Sequence, residues 1–157
     1  MGDGSCTEKT NAEKATYEKI SSCDDAGQTS CTLDSGVTLS KIGDYWSTPK
    51  MNSTQWGGAV SITLSDGTTM NSYQDGAKKY CESQGLRLPT IIELYNLQST
   101  CSTNGLGCSG WFWSSDLLED SEDIANILDF GDGDECSEGD SRLDDGRSIY
   151  RAVCVIF

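Results

Sequence analysis

Apolar residues along this chain fall into short, separated blocks, and the spacing within each block predicts its element. Tyr73, Ala77, Tyr80 and Cys81 recur at i, i+4, i+7 and i+8, which places them on one face of a helix. Ser72 stands where an N-cap belongs, and Gly85 where a helix ends in a left-handed residue. Leu86-Arg87-Leu88-Pro89 is then extended, because the residue before a proline avoids the helical region. Thr90-Ile91-Ile92-Glu93 has the form of a capping box and starts a second short helix, with Ile91, Leu94, Leu97 and Tyr95 toward the core.

Strand patterns flank these helices. Residues 37–46 and 59–64 read as short strands, and Ser65-Asp66-Gly67 signals a tight turn after the second. Trp111-Phe112-Trp113-Ser114-Ser115 is a strand-like aromatic cluster, and residues 124–130 read as a buried strand. In the closing strand, residues 149–157, Tyr150, Ala152, Cys154 and Ile156 share one face, and Val153 and Val155 the other. Residues 8–20 predict one helix, but Ala12, Ala15 and Ile20 give it a thin apolar face that needs outside support. Residues 101–108 are a Gly/Ser/Asn loop. No internal repeat is present.

A length of 157 residues suits a single domain with a modest core. The net charge of −14 repels phosphate backbones and anionic membrane surfaces, so neither nucleic acid nor membrane is the expected partner. No apolar run approaches the roughly 20 residues of a membrane span, and the sequence shows no signal-peptide pattern, so export implies a leader or anchor already removed or a virus structural protein. Without histidine, the chain lacks the commonest general base and metal ligand. Eight cysteines occur with no C-x-x-C pair, which favours disulfides and an oxidising compartment over zinc or thioredoxin-type chemistry.

The charge is concentrated. From residue 116 to residue 145 there are 13 acidic side chains and one basic one, Arg142. Asp129, Asp132, Asp134 and Glu135, with Glu138 and Asp140, offer hard oxygen ligands, so calcium is a candidate cofactor there. The EF-hand spacing is missing, and a solvated acidic face is the simpler expectation; no cofactor is required. Trp113 is expected in the core. Trp111 follows Gly110 and can reach the surface, where tryptophan is a strong binding anchor.

Three stretches carry a resemblance: Ala77-Lys78-Lys79-Tyr80-Cys81 followed by Gly85-Leu86-Arg87-Leu88-Pro89-Thr90 and Glu93-Leu94; Phe112-Trp113-Ser114-Ser115; and Tyr150-Arg151-Ala152-Val153-Cys154-Val155. In order and spacing they resemble C-type-lectin-like domains, above all the variable proteins of diversity-generating retroelements. The C-terminal domains of bacterial collagen-like proteins and invasin-type adhesins are also similar. The likeness covers residues 70–157. It implies an α+β, disulfide-stapled fold with two short helices, a small mostly antiparallel sheet and a long loop-rich insertion. Residues 1–45 would be an N-terminal, disulfide-braced extension packed on a domain of residues 46–157, with 111–150 as the variable region. The family pattern also implies a bond from the first helix to the last strand, at Cys81 and Cys154. Cys101 with Cys108 and Cys23 with Cys31 are candidate pairs, leaving Cys6 and Cys136; connectivity is not readable from sequence.

The function implied is non-enzymatic: a display protein on a cell or virion surface that recognises a protein or glycan of a host or neighbouring cell. Adenine-directed mutation of Asn-type codons gives a recognisable palette of residues. Trp111, Asp116, Leu117, Asp120, Asp123, Ile127, Asp129, Asp132, Asp134, Ser141, Leu143, Asp144 and Arg147 are the expected ligand contacts. The lectin sugar-site signatures Glu-Pro-Asn and Trp-Asn-Asp are absent, which argues against the usual calcium-dependent sugar site. Two alternatives differ in class. One is a minor pilin or structural surface subunit. The other is an oxidase of the formylglycine-generating fold, which needs a reactive, metal-binding cysteine pair.

Overall fold

The computed structural model describes residues 11–131, 137–145 and 149–156. The architecture is mixed α+β. In chain order the elements are α1 (Asn11–Asp25), β1 (Ser30–Thr32), β2 (Thr38–Ile42), β3 (Tyr45–Ser47), α2 (Ser53–Trp56), β4 (Val60–Thr63), β5 (Thr69–Ser72), α3 (Tyr73–Ser83), α4 (Ile91–Gln98), β6 (Trp111–Leu117), β7 (Ile124–Asp129), β8 (Ser137–Arg142) and β9 (Val155–Ile156). They form a four-stranded sheet in the order β1-β2-β3-β9, a β4-β5 hairpin and a three-stranded sheet β6-β7-β8. Every ladder between these strands is antiparallel.

The two central helices form for the expected reasons. The Ser72 hydroxyl accepts the Asp75 N–H at 3.0 Å, satisfying one of the orphan donors of α3. At the other end Gly85 takes φ +72°, the conformation expected after the cap. Thr90 and Glu93 form a reciprocal capping box on α4. Glu93 also pairs with both arms of the Arg87 guanidinium, which fixes the extended Leu86–Pro89 segment to the start of α4.

The closing segment is the hub of the molecule. Ala152, Val153, Cys154 and Val155 are all fully buried. Arg151 bridges Phe112 in parallel, Ala152 bridges Met51, and Val155 pairs with both Ser47 and Arg87. One segment thereby joins both sheets and the α3–α4 connection. Its two faces serve two cores. Ala152 and Cys154 lie with Ile20, Trp46, Ala77, Cys81, Trp113 and Ile127, while Val153 and Val155 lie with Leu94, Leu97, Phe112, Leu128 and Phe130.

Three disulfides staple this frame. Cys81–Cys154 ties α3 to the closing segment with a Cα–Cα distance of 5.3 Å. Cys23–Cys31 ties α1 to β1, and Cys101–Cys108 closes the loop before β6. Cys6 and Cys136 lie outside the described residues.

Several expectations change. Two short helices in the core and one over 8–20 were expected; among the described residues there are four, α2 being the addition, and α1 continues past residue 20 to Asp25. The strand expected over 37–46 is a hairpin, because Gly43-Asp44 makes a two-residue turn between Ile42 and Tyr45 with Gly43 at φ +57°. The boundary expected at residue 45 falls at this hairpin, so β1 and β2 share a sheet with β3 and β9. The stretch expected as a loop-rich insertion holds two paired strands, β7 and β8.

Candidate functional site

The region expected to meet a ligand is the β6-β7-β8 sheet with its connecting turns. β6 enters the core through Phe112, Trp113 and Ser114, all fully buried. Phe112 stacks on Phe130 at 4.1 Å between ring centroids, and the Trp113 ring meets Tyr150 edge-on at 5.1 Å. β7 continues both faces: Phe112 opposes Leu128, and Trp113 opposes Ile127. The sheet is therefore sandwiched along β6 and β7, with Phe112, Leu128 and Phe130 in the core beside α4 and Trp113, Ala125 and Ile127 in the other.

β8 ends the sheet. Its alternation separates the side chains: Glu138, Asp140 and Arg142 are exposed, while Ser141 is buried and Gly139 half-buried. Glu138 accepts the Tyr95 hydroxyl of α4 at 2.7 Å. Arg142 reaches both Asp144 and Asp123 at 3.3 Å. The Asp144 bond holds its guanidinium protonated beyond the usual arginine range, and Asp123 and Asp145 add to this. The pairs are exposed, so they orient the β8 end more than they stabilise it.

The expected contact residues that the structure describes divide into four groups. Leu117, Asp120 and Asp144 are exposed, Leu117 at 42 %. Asp120 sits at the tip of the β6–β7 turn with φ +61°, a left-handed conformation that aspartate tolerates better than most side chains. Trp111 and Asp129 are half-buried and directly opposite each other across the ladder.

Asp116 and Asp123 are also half-buried, but they have structural partners. The Asp116 carboxylate accepts the Ile91 N–H at 2.8 Å and so completes the N-terminal capping of α4. Asp123 accepts the Ser121 hydroxyl at 3.1 Å as well as Arg142.

Ile127, Ser141 and Leu143 require correction. Their exposures are 2 %, 6 % and 1 %, so they face the core and offer a ligand no surface. The palette that suggested them does not encode orientation, whereas strand alternation sets it. Asp132, Asp134, Glu135 and Arg147 lie outside the described residues. Of the four calcium candidates only Asp129 is described, and among the described residues no cluster of three or more acidic, cysteine or histidine side chains could hold a metal ion.

Positions not singled out from sequence also belong to this face. Asn126 is half-buried on β7. Glu122 accepts the Ser65 N–H at 2.9 Å and the Ser65 hydroxyl at 2.6 Å, which docks the β4-β5 turn beside the β6–β7 turn. The alternation Glu138-Gly139-Asp140-Ser141-Arg142 was the available signal for β8, but its polarity masked it. No protein-family model matches the chain, and no curated protein matches it significantly.

Proposed function

We propose that this chain is a non-enzymatic recognition module with a C-type-lectin-like fold. It is displayed outside the cell or on a virion, and it binds a protein or glycan of a host or neighbouring cell. Its recognition surface is the β8 strand with the β6–β7 turn and the turn after β8, and it is diversified by a retroelement. One observation carries this reading. Among the described residues of 111–145 the buried side chains hold the sheet, and the exposed ones between them are varied and, Leu117 apart, polar, above a frame cross-linked by Cys81–Cys154. A rigid sheet that presents replaceable side chains is a sound basis for recognition.

Other features agree with this setting. Three disulfides suit an oxidising compartment, and no described helix is long and apolar enough to cross a membrane. An acidic face favours a basic protein partner, with association that weakens as salt rises.

The test is to sequence many copies of the gene from one population. Substitutions should fall at adenines and concentrate at Leu117, Glu119, Asp120, Asn126, Glu138, Asp140 and Asp144, sparing Trp113, Ile127, Leu128 and Leu143. Variation spread evenly along the gene would refute programmed diversification. Thiol titration of the native protein addresses the enzyme alternative: a copper-reactive cysteine pair would overturn the non-enzymatic reading.

A further inference from the structure

Trp111 is the first residue of β6, yet its indole reaches across β7 to β8. A Cβ placed on Gly139 would lie 2.8 Å from Cζ3 and 2.9 Å from Cη2 of Trp111, closer than any real Cβ contact. The outer Cζ3–Cη2 edge of the indole therefore lies against Gly139, and a larger residue here would push it aside. The indole remains half-buried. The other three tryptophans, Trp46, Trp56 and Trp113, have exposures of 0 %, 4 % and 0 %.

Directly opposite Trp111 on the same face is Asp129. Opposed residues of an antiparallel pair have Cβ atoms about 5 Å apart. Asp129 Oδ1 accepts the Gly131 N–H at 3.0 Å, which fixes the carboxylate, and Oδ2 takes no hydrogen bond from a described residue. A half-buried indole that reaches β8 thus stands across the ladder from a fixed carboxylate with an open acceptor.

We propose that Trp111 and Asp129 form a stacking site for a neutral pyranose sugar. The apolar C–H face of the ring lies on the indole, and a ring hydroxyl donates to Asp129 Oδ2. Trp111 supplies contact area at low entropic cost because the side chain is already half-buried and packed against the core. The carboxylate supplies a charge-assisted hydrogen bond. Residues 111–157 carry 13 acidic and three basic side chains, so the same site disfavours uronic and sialic acids. This assignment rests on the recognition reading above, extends its surface to the start of β6 and the end of β7, and narrows the ligand from protein or glycan to neutral glycan, with no calcium required.

The test uses the full chain and four neutral hexasaccharides built from glucose (β-1,4 and β-1,3), mannose and N-acetylglucosamine, with hexagalacturonate as the anionic probe. Tryptophan fluorescence reports directly, since Trp111 is the half-exposed indole of the four. At least one neutral hexamer should give a saturable change, and hexagalacturonate should give none. Trp111→Ala should weaken affinity about tenfold or more, Asp129→Asn several-fold, and Trp111→Phe less than Trp111→Ala.

Calorimetric titration reads the Trp111 variants, and near-UV circular dichroism checks their fold. If Trp111→Ala does not fold, Asp129→Asn and Trp111→Phe decide. Binding by no neutral hexamer, equal binding of hexagalacturonate, or affinities unchanged in the variants would overturn the proposal. If the sugars fail while gene copies still vary at adenines, the glycan assignment falls alone. Evenly spread variation with intact sugar binding would sink only the diversification reading.

Discussion

Removing the Cys81–Cys154 bond should cost more than removing any other bridge described here, because it closes the longest loop. The bond spans 73 residues, against 8 for Cys23–Cys31 and 7 for Cys101–Cys108. In the chain-entropy treatment, a loop of that length restricts the unfolded ensemble by about 4.4 kcal/mol and the short loops by about 2.4 kcal/mol each. The Cys101–Cys108 bridge is nested inside the long loop and shortens it by about a tenth, which changes the first figure by only about 0.1 kcal/mol. With an unfolding entropy of about 2.1 cal/mol/K per residue, the paired substitution Cys81→Ala/Cys154→Ala should lower Tm by about 13 °C, and Cys101→Ala/Cys108→Ala by about 7 °C. Both sulfurs of the long-range bond are fully buried, so loss of packing adds to the first value. Urea denaturation separates the two contributions. Loss of a cross-link expands the unfolded chain and raises the m-value, whereas a cavity leaves m unchanged. A Cys81/Cys154 variant no less stable than the Cys101/Cys108 variant would refute the view that this bond holds the frame.

Three further outcomes are expected. Gly76→Ala would gain about 1 kcal/mol in an ordinary helix interior, but here the new Cβ would overlap the Gly58 carbonyl oxygen. The substitution should therefore destabilise by roughly 2 kcal/mol or more, read by thermal or urea unfolding. Burial alone would raise the Glu93 carboxyl, but bonds from Arg87 and the Thr90 N–H outweigh it and hold the group below its ordinary value. A depressed folded-state value stabilises above the unfolded value, near pH 4.3, and that contribution is lost as pH falls through the folded value. Glu93→Gln should thus be less stable than the parent at pH 7, with the difference closing below about pH 4. Leu143→Ala should cost about 2–5 kcal/mol because Leu143 is 1 % exposed, and Leu117→Ala, at a surface position, about 0.5 kcal/mol or less by the same unfolding assay.

The α3–α4 segment was legible in sequence because its signals are local. An N-cap, a helical apolar face, a C-terminal glycine, a proline and a capping box each act within four residues. The two faces of the closing segment were legible because its apolar positions alternate, although only Val155–Ile156 form a strand, with isolated bridges at Arg151 and Ala152. The strand pairings on either side were less so. Residues 37–46 read as one strand because Tyr45 and Trp46 continue the apolar run past Gly43-Asp44, and a single glycine carried the whole hairpin signal. β8 was missed because a strand at a sheet edge, with one face in solvent, needs few apolar residues. Its buried positions are Ser141 and, in part, Gly139, which carry no hydrophobic signal. The same gap misplaced the candidate contacts. Ile127 and Leu143 sit within an acidic stretch whose composition suggests a surface, but both pack beside Trp113 in the core.

How such a sheet could tolerate replacement of its outward side chains follows from where its hydrogen bonds end. The Ser114 hydroxyl donates to the Asn126 carbonyl at 2.6 Å, Gln74 Nε2 to the Ser114 carbonyl at 2.8 Å, and Gln98 Nε2 to the Phe130 carbonyl at 3.2 Å. Each donor is a buried side chain on α3, α4 or β6, and each acceptor is backbone. Frame side chains therefore grip the main chain of β6 and of the stretch from Asn126 to Phe130 without using the side chain at 126. Substitution there leaves the Ser114 bond intact, because every residue type supplies the same carbonyl. Asp116 shows the opposite case. Its own carboxylate caps α4, so replacement by an apolar residue would release the Ile91 N–H. The positions free to change are those whose side chains hold no backbone group of the frame, and on this ground Asn126 is open to variation while Asp116 is constrained despite lying in the same acidic stretch.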